Sequence, residues 1–165
     1  MTYEEILKLW HESQANWQNY RYSVSAIGGF IYSYLKERLS ISGEKKEHLF
    51  KMIPPNERDE EKLRNTRYSP FGCVELKDDG WAEFGIILLL EQNENSWPKQ
   101  QYRFILNIRK TSKNWNVKIS NSGIISELSF EPNKDELNLL GEEFDNLLKF
   151  HTIESLNKWL GIENE

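Results

Sequence analysis

QYRFILNIRKTSKNWNVKIS, residues 101–120, decides the fold. Every second residue is apolar on its first arm, at Tyr102, Phe104, Leu106 and Ile108, and again on its second, at Trp115, Val117 and Ile119. A period of two is the mark of a strand with one buried face. The polar segment between the two runs then reads as the turn of an antiparallel hairpin. The intervening positions carry Arg103, Ile105, Asn107, Arg109, Asn116 and Lys118, so the opposite face is mainly polar and positive.

Working outward, the period of two begins at Phe71. Residues 71–77 and 81–91 read as two strands joined by Lys77, Asp78, Asp79 and Gly80, where glycine can take the left-handed conformation that a tight hairpin needs. The second of these is apolar on one side at Ala82, Phe84, Ile86, Leu88 and Leu90 and on the other at Ile87 and Leu89, as expected of a central strand. A loop over 92–99 leads into the hairpin, and a turn at 121–123 leads into a last strand over 124–130. Five antiparallel strands in sequential order form the economical topology.

Both flanks are helical. Thr2 with Glu5 fits a capping box, and Tyr3, Ile6, Leu7, Trp10 and Trp17 share one stripe of a helix over 3–19. The stripe resumes at Tyr20, Val24, Ile27, Ile31, Tyr34, Leu35 and Leu39, with Gly28 and Gly29 in its middle, so one bent helix and two helices are both open. A glycine pair inside such a pattern points to close packing in preference to a hinge. Residues 44–53 read as a short helix stopped by Pro54 and Pro55, and 56–67 as a charged loop or solvated turn. Asn133 with Glu136 caps a helix carrying Leu137, Leu140, Phe144, Leu147 and Leu148. A second short helix is expected from a Thr152 cap through Ile153, Leu156, Trp159 and Leu160 to a stop at Gly161.

The expected fold is α+β, an approximately five-stranded antiparallel meander sheet packed by N-terminal and C-terminal helices. One domain over 1–165 divides into a helical part (1–55), a charged loop (56–70), the sheet (71–130) and the C-terminal helices (131–165). The expected core is Trp10, Ile27, Ile31, Phe84, Ile86, Leu88, Phe104, Leu106, Val117, Leu140 and Phe144. An aromatic content of 13% makes that core ring-rich.

The net charge of −5 argues against a general nucleic-acid or membrane coat, yet it conceals an asymmetry. Residues 99–118 carry Lys99, Arg103, Arg109, Lys110, Lys113 and Lys118 and no acid, whereas ten acids face three lysines over 127–165. A single cysteine forms no internal disulfide, and the opening Glu4 and Glu5 are unlike a secretory signal. The longest apolar run, 85–90, is too short to span a bilayer. These features suggest a cytoplasmic protein, and the abundance of Asn, Lys, Ile and Glu suits a bacterial or phage gene.

Chemistry is sparsely signalled. His11, His48, His151 and Cys73 have no metal-ligand spacing, no nucleophile elbow frames a serine or Cys73, and Gly28-Gly29 lacks the lysine of a phosphate loop. Neighbouring acids such as Glu60-Glu61 and Asp78-Asp79 read as solvated charge, and neither a metal nor a cofactor is expected. Arg103, Arg109 and Lys118 on an open sheet face are a candidate single-stranded nucleic-acid site, where cations take phosphates and rings take bases. Parity puts Tyr102, Phe104 and Trp115 on the other face, so stacking there requires Trp81 or Trp97 to intrude. The leading expectation is a non-enzymatic protein-binding module, an acidic inhibitor or immunity-type protein that occludes a basic partner. Its candidate contacts are Glu142, Glu143 and Asp145, with Trp97 and Trp159 as aromatic anchors. An enzyme of unidentified class is a further alternative.

Overall fold

The alternation over 101–120 folds as two paired strands, β4 (Gln100–Lys110) and β5 (Trp115–Ile119), with Leu106 opposite Ile119 and Ile108 opposite Val117. Thr111 closes the turn between them, its N–H and Oγ1 both donating to the Asn114 carbonyl. All seven alternating apolar residues are buried. The computed structural model describes residues 1–91, 100–120 and 122–161, with the side chains of Ser155 and Trp159 outside that description.

Beside β4 lies β3 (Ala82–Leu90), paired from Ala82 opposite Ile108 to Leu90 opposite Gln100. On the far edge of β5, β6 (Ser126–Leu128) pairs antiparallel, a shorter strand than the 124–130 run suggested. The other edge of β3 is shared by β1 (Phe50–Ile53) and β2 (Glu75–Leu76). The sheet thus has six antiparallel strands in the order β1-β3-β4-β5-β6, with β2 off that path. β3 is central, as a strand apolar on both sides must be.

Two segments differ from expectation. Within 44–53, a 3₁₀ turn (Glu44–Leu49) gives way to strand β1, because Phe50, Met52 and Ile53 are all buried when that run pairs with β3. The 71–77 strand is cut to Glu75–Leu76. Ahead of it Ser69 caps a helical turn, α3 (Pro70–Cys73), by accepting from the Gly72 N–H, with proline preset at the first helical position. The turn at Gly80 forms as expected, with φ +84 at the glycine. The charged 56–67 segment contains a short helix, α2 (Glu60–Asn65), capped by Asp59.

A single helix, α1 (Tyr3–Arg38), runs for 36 residues across the glycine pair. The glycines are packing devices. A Cβ on Gly28 would lie 2.6 Å from the Phe84 ring, and one on Gly29 would lie 2.8 Å from Pro70. The C-terminal pair of helices is likewise one helix, α4 (Lys134–Leu160), because the Thr152 hydroxyl donates back to the Leu148 carbonyl instead of capping a new start. Val24, Ile27, Ile31 and Leu35 of α1 and Leu137, Leu140 and Phe144 of α4 lie in the buried core. Phe144 meets Phe50 and Phe104 edge to face, and Tyr32 stacks on Phe50 while its hydroxyl donates to the Phe50 carbonyl. Between the helices, Arg38 Nη2 donates to Asp145 at 2.8 Å and lies against the bare backbone of Gly141.

One expected core residue is outside. Trp10 is 54% exposed, and every residue from 1 to 19 is exposed with it. Among the described residues no helix is long and apolar enough to cross a membrane.

Candidate functional site

Tyr3, Trp10, Trp17, Val24 and Ile31 are seven residues apart and therefore lie on one side of α1. Val24 and Ile31 are fully buried, whereas Tyr3, Trp10 and Trp17 are 74%, 54% and 46% exposed. Ile6, Leu7 and Leu9 are exposed with them. The stripe that binds the helix to the sheet thus continues, in phase, past the end of the sheet.

A collar of polar and ring contacts sets the point of departure. The Tyr20 hydroxyl donates to the Gly80 carbonyl in the β2–β3 turn and accepts weakly from the Lys110 N–H at the end of β4. Burial at this junction pushes the Tyr20 hydroxyl above its ordinary pKa. Next to it Arg21 donates to the Phe71 carbonyl with its guanidinium 4.7 Å from the Phe71 ring, and Tyr22 stacks on that ring. Beyond the collar the Thr2–Glu5 capping box closes the helix N-terminus, with Glu4 and Glu5 in the first turn where the helix dipole favours anions. The result is an amphipathic arm about 26 Å long at ~1.5 Å per residue.

The acidic residues singled out from sequence are divided. Glu143 bridges α4 to the β6 side, accepting from Ser122 Oγ at 2.8 Å and Ser126 Oγ at 3.1 Å. Asp145 takes both Nε and Nη2 of Arg38, and this hydrogen bonding raises the arginine's pKa. Glu142 alone of the three is exposed, on an outer face of α4 that also presents Leu139, Phe150 and Ile153. Trp97 lies outside the described residues, as does the side chain of Trp159.

Arg103, Arg109 and Lys118 lie on the sheet face opposite the helices, and each is engaged. Arg103 donates to the Glu57 carbonyl, and burial, followed by the neighbouring Arg58, lowers its pKa. Arg109 lies over the Trp81 ring at 4.7 Å and the Lys118 ammonium at 5.2 Å. Trp81 therefore shares the cationic face. Its place one residue before the inward-facing Ala82 was the sequence signal for it.

A cleft of about 350 Å³ between α1, the 3₁₀ turn and α2 includes Tyr32, Lys36, His48, Lys51, Arg64 and Tyr68. One of its cations is committed, since Lys51 Nζ donates to the Leu63 and Arg64 carbonyls at the end of α2. Burial pushes the Cys73 thiol up to about 12, so it is neutral at physiological pH and a poor nucleophile. Among the described residues no group of three or more His, Cys, Asp or Glu side chains is placed to hold a metal. His48 pairs instead with Glu91 at 2.6 Å. The chain matches no protein-family model, no curated protein and no solved structure.

Proposed function

We propose that the protein is a protein-binding module whose principal docking surface is the exposed half of α1. The observation that carries this is the in-phase apolar stripe of Tyr3, Trp10 and Trp17 beyond the sheet. Tryptophan and tyrosine on an exposed surface are the residues most often found as anchors in protein interfaces. An amphipathic helix laid by its apolar side into a partner is a recurrent mode of recognition. The outer face of α4 supports a second contact, where Glu142 is exposed on the helix that also exposes Leu139 and Phe150. With the net charge of −5, it favours a basic partner, in the manner of an inhibitor or immunity-type protein. Comparative capture from the native host tests the proposal. A partner retained by the intact chain and lost with Trp10→Glu, while Glu142→Lys weakens it in a salt-dependent way, supports it. Identical partner sets for all three chains would remove it.

A second reading is favoured by one observation, the presence of Trp81 among Arg109 and Lys118. It makes the outer sheet face a candidate surface for a single-stranded nucleic acid, with a base displacing Arg109 from the ring. Binding that weakens steeply with salt and disappears in Arg109→Ala with Lys118→Ala is the expected outcome. Absence of retention on oligonucleotides at low salt would exclude it.

A further inference from the structure

We infer that the occupant of the α1 arm is a second copy of this chain, packed antiparallel about a twofold axis through Trp10. This rests on the docking role of the arm proposed above and names what fills it. The spacing of the stripe is self-complementary about that residue. With Trp10 facing Trp10 of the other copy, Tyr3 faces Trp17 and Trp17 faces Tyr3, so each ring meets a ring. On the adjoining turn Leu7 faces Ser13 and Ile6 faces Gln14, an apolar side chain against a polar one on each side of the central indoles, so the ring pairs carry the contact. Glu5 and Glu12 lie round the helix from the stripe, so the like charge of the two copies stays off the seam.

Orientation follows from the phase of the stripe. The arm presents its apolar side in the direction in which the sheet lies further along the same helix, because Trp10 and Trp17 continue the line of Val24 and Ile31. A parallel second helix on that side would run directly into the sheet of the first copy. An antiparallel one ends its overlap where that sheet begins. It occupies the side of α1 that the sheet covers further along, at the ~8–10 Å separation of packed helices. The contact is then continuous with the α1–sheet interface, half of each stripe being covered by its own sheet and half by the other arm.

Two arms paired helix against helix from Tyr3 to Trp17, about 22 Å, form a short seam that falls below the ~1,200 Å² at which specific stable interfaces begin. The dimer is therefore a reversible, concentration-dependent one.

The test is sedimentation equilibrium on the full chain, joined to cysteine cross-linking. The intact chain is expected to approach twice its monomer mass as concentration rises. Trp10→Glu should remain a monomer and melt at the temperature of the intact chain at concentrations too low for the dimer, because Trp10 is not part of the buried core. Under oxidation Trp10→Cys should form a disulfide between copies. A mixture of Tyr3→Cys and Trp17→Cys should form the mixed disulfide in preference to either self-pair. Cys73 is buried, and the intact chain controls for it. A monomer at every concentration overturns the inference, as does a dimer indifferent to Trp10→Glu. Self-linking of Tyr3→Cys overturns the antiparallel arrangement. An intact chain that stays monomeric yet loses a captured partner with Trp10→Glu removes the second copy and leaves the docking role standing.

Discussion

The two halves of α1 are built from the same kind of residue in the same register, and they differ in what lies beneath them. From Val24 to Leu35 the stripe meets Phe84, Phe104 and their neighbours and is sealed from water. From Tyr3 to Trp17 it is open to solvent. A helix of that shorter length alone in water is marginal, because nucleation is costly and propagation returns little per residue. The arm is supported by being an extension of a helix already nucleated against the sheet. The seated half is a stability element and the exposed half is a surface available to a partner.

Substitutions separate these roles. The largest effect belongs to the seated half. Ile31→Ala empties a site with no solvent access and should cost about 2–5 kcal/mol in urea unfolding. A near-neutral midpoint would mean that the two halves are equivalent. Gly28→Ala forces a methyl to within 2.6 Å of the Phe84 ring. Overpacking of about 1–3 kcal/mol should outweigh the ~1 kcal/mol that alanine gains over glycine in a helix. A stabilised Gly28→Ala would show that Phe84 yields easily and that the seat is looser than its burial implies.

Arg38→Ala removes the contact to Asp145 between α1 and α4. With both side chains partly solvated, the loss should be about 1 kcal/mol and should shrink in high salt. Glu136 gives a smaller, pH-dependent effect. Hydrogen bonds from the Asn133 and Ser129 N–H groups, and then from the Ser129 hydroxyl, hold its carboxylate below the usual pKa. Its contribution is fully present above the unfolded-state carboxylate pKa and is lost as pH falls through the lower folded-state value. Glu136→Ala should therefore flatten the acid limb of the stability curve and leave alkaline unfolding unchanged. The smallest effect is expected in the arm, where Trp10→Ala should change monomer stability by no more than about 0.5 kcal/mol. A loss comparable to that of Ile31→Ala would erase the distinction between the halves.

Where physics is local, the residues were readable in advance. Side-chain parity over 101–120, the central position of β3, the two capping boxes and the left-handed turn at Gly80 depend on neighbours within a few positions. β1 was not readable, because four residues with only Lys51 polar among them satisfy both periods and become a strand only beside the edge of β3. Thr152 suits a cap and a back-bonded helix equally well, so the unity of α4 was also hidden. For the candidate site, the stripe was legible and its exposure was not. Of the acids, composition identified a negative region, but only the fold commits Glu143 and Asp145 to internal bonds while Glu142 faces water.

By itself the sequence determined an α+β chain with a paired-strand centre, capped helices at both ends and an apolar line along the first helix. Those features arise from backbone geometry and from the spacing of side chains along a single element. The tertiary structure decided where that line stops being core. Burial is set by how far the neighbouring layer extends, and the sheet ends near the Tyr20 hydroxyl, where the turns at Gly80 and Lys110 close it. The same aromatic spacing is interior on one side of that boundary and free surface on the other.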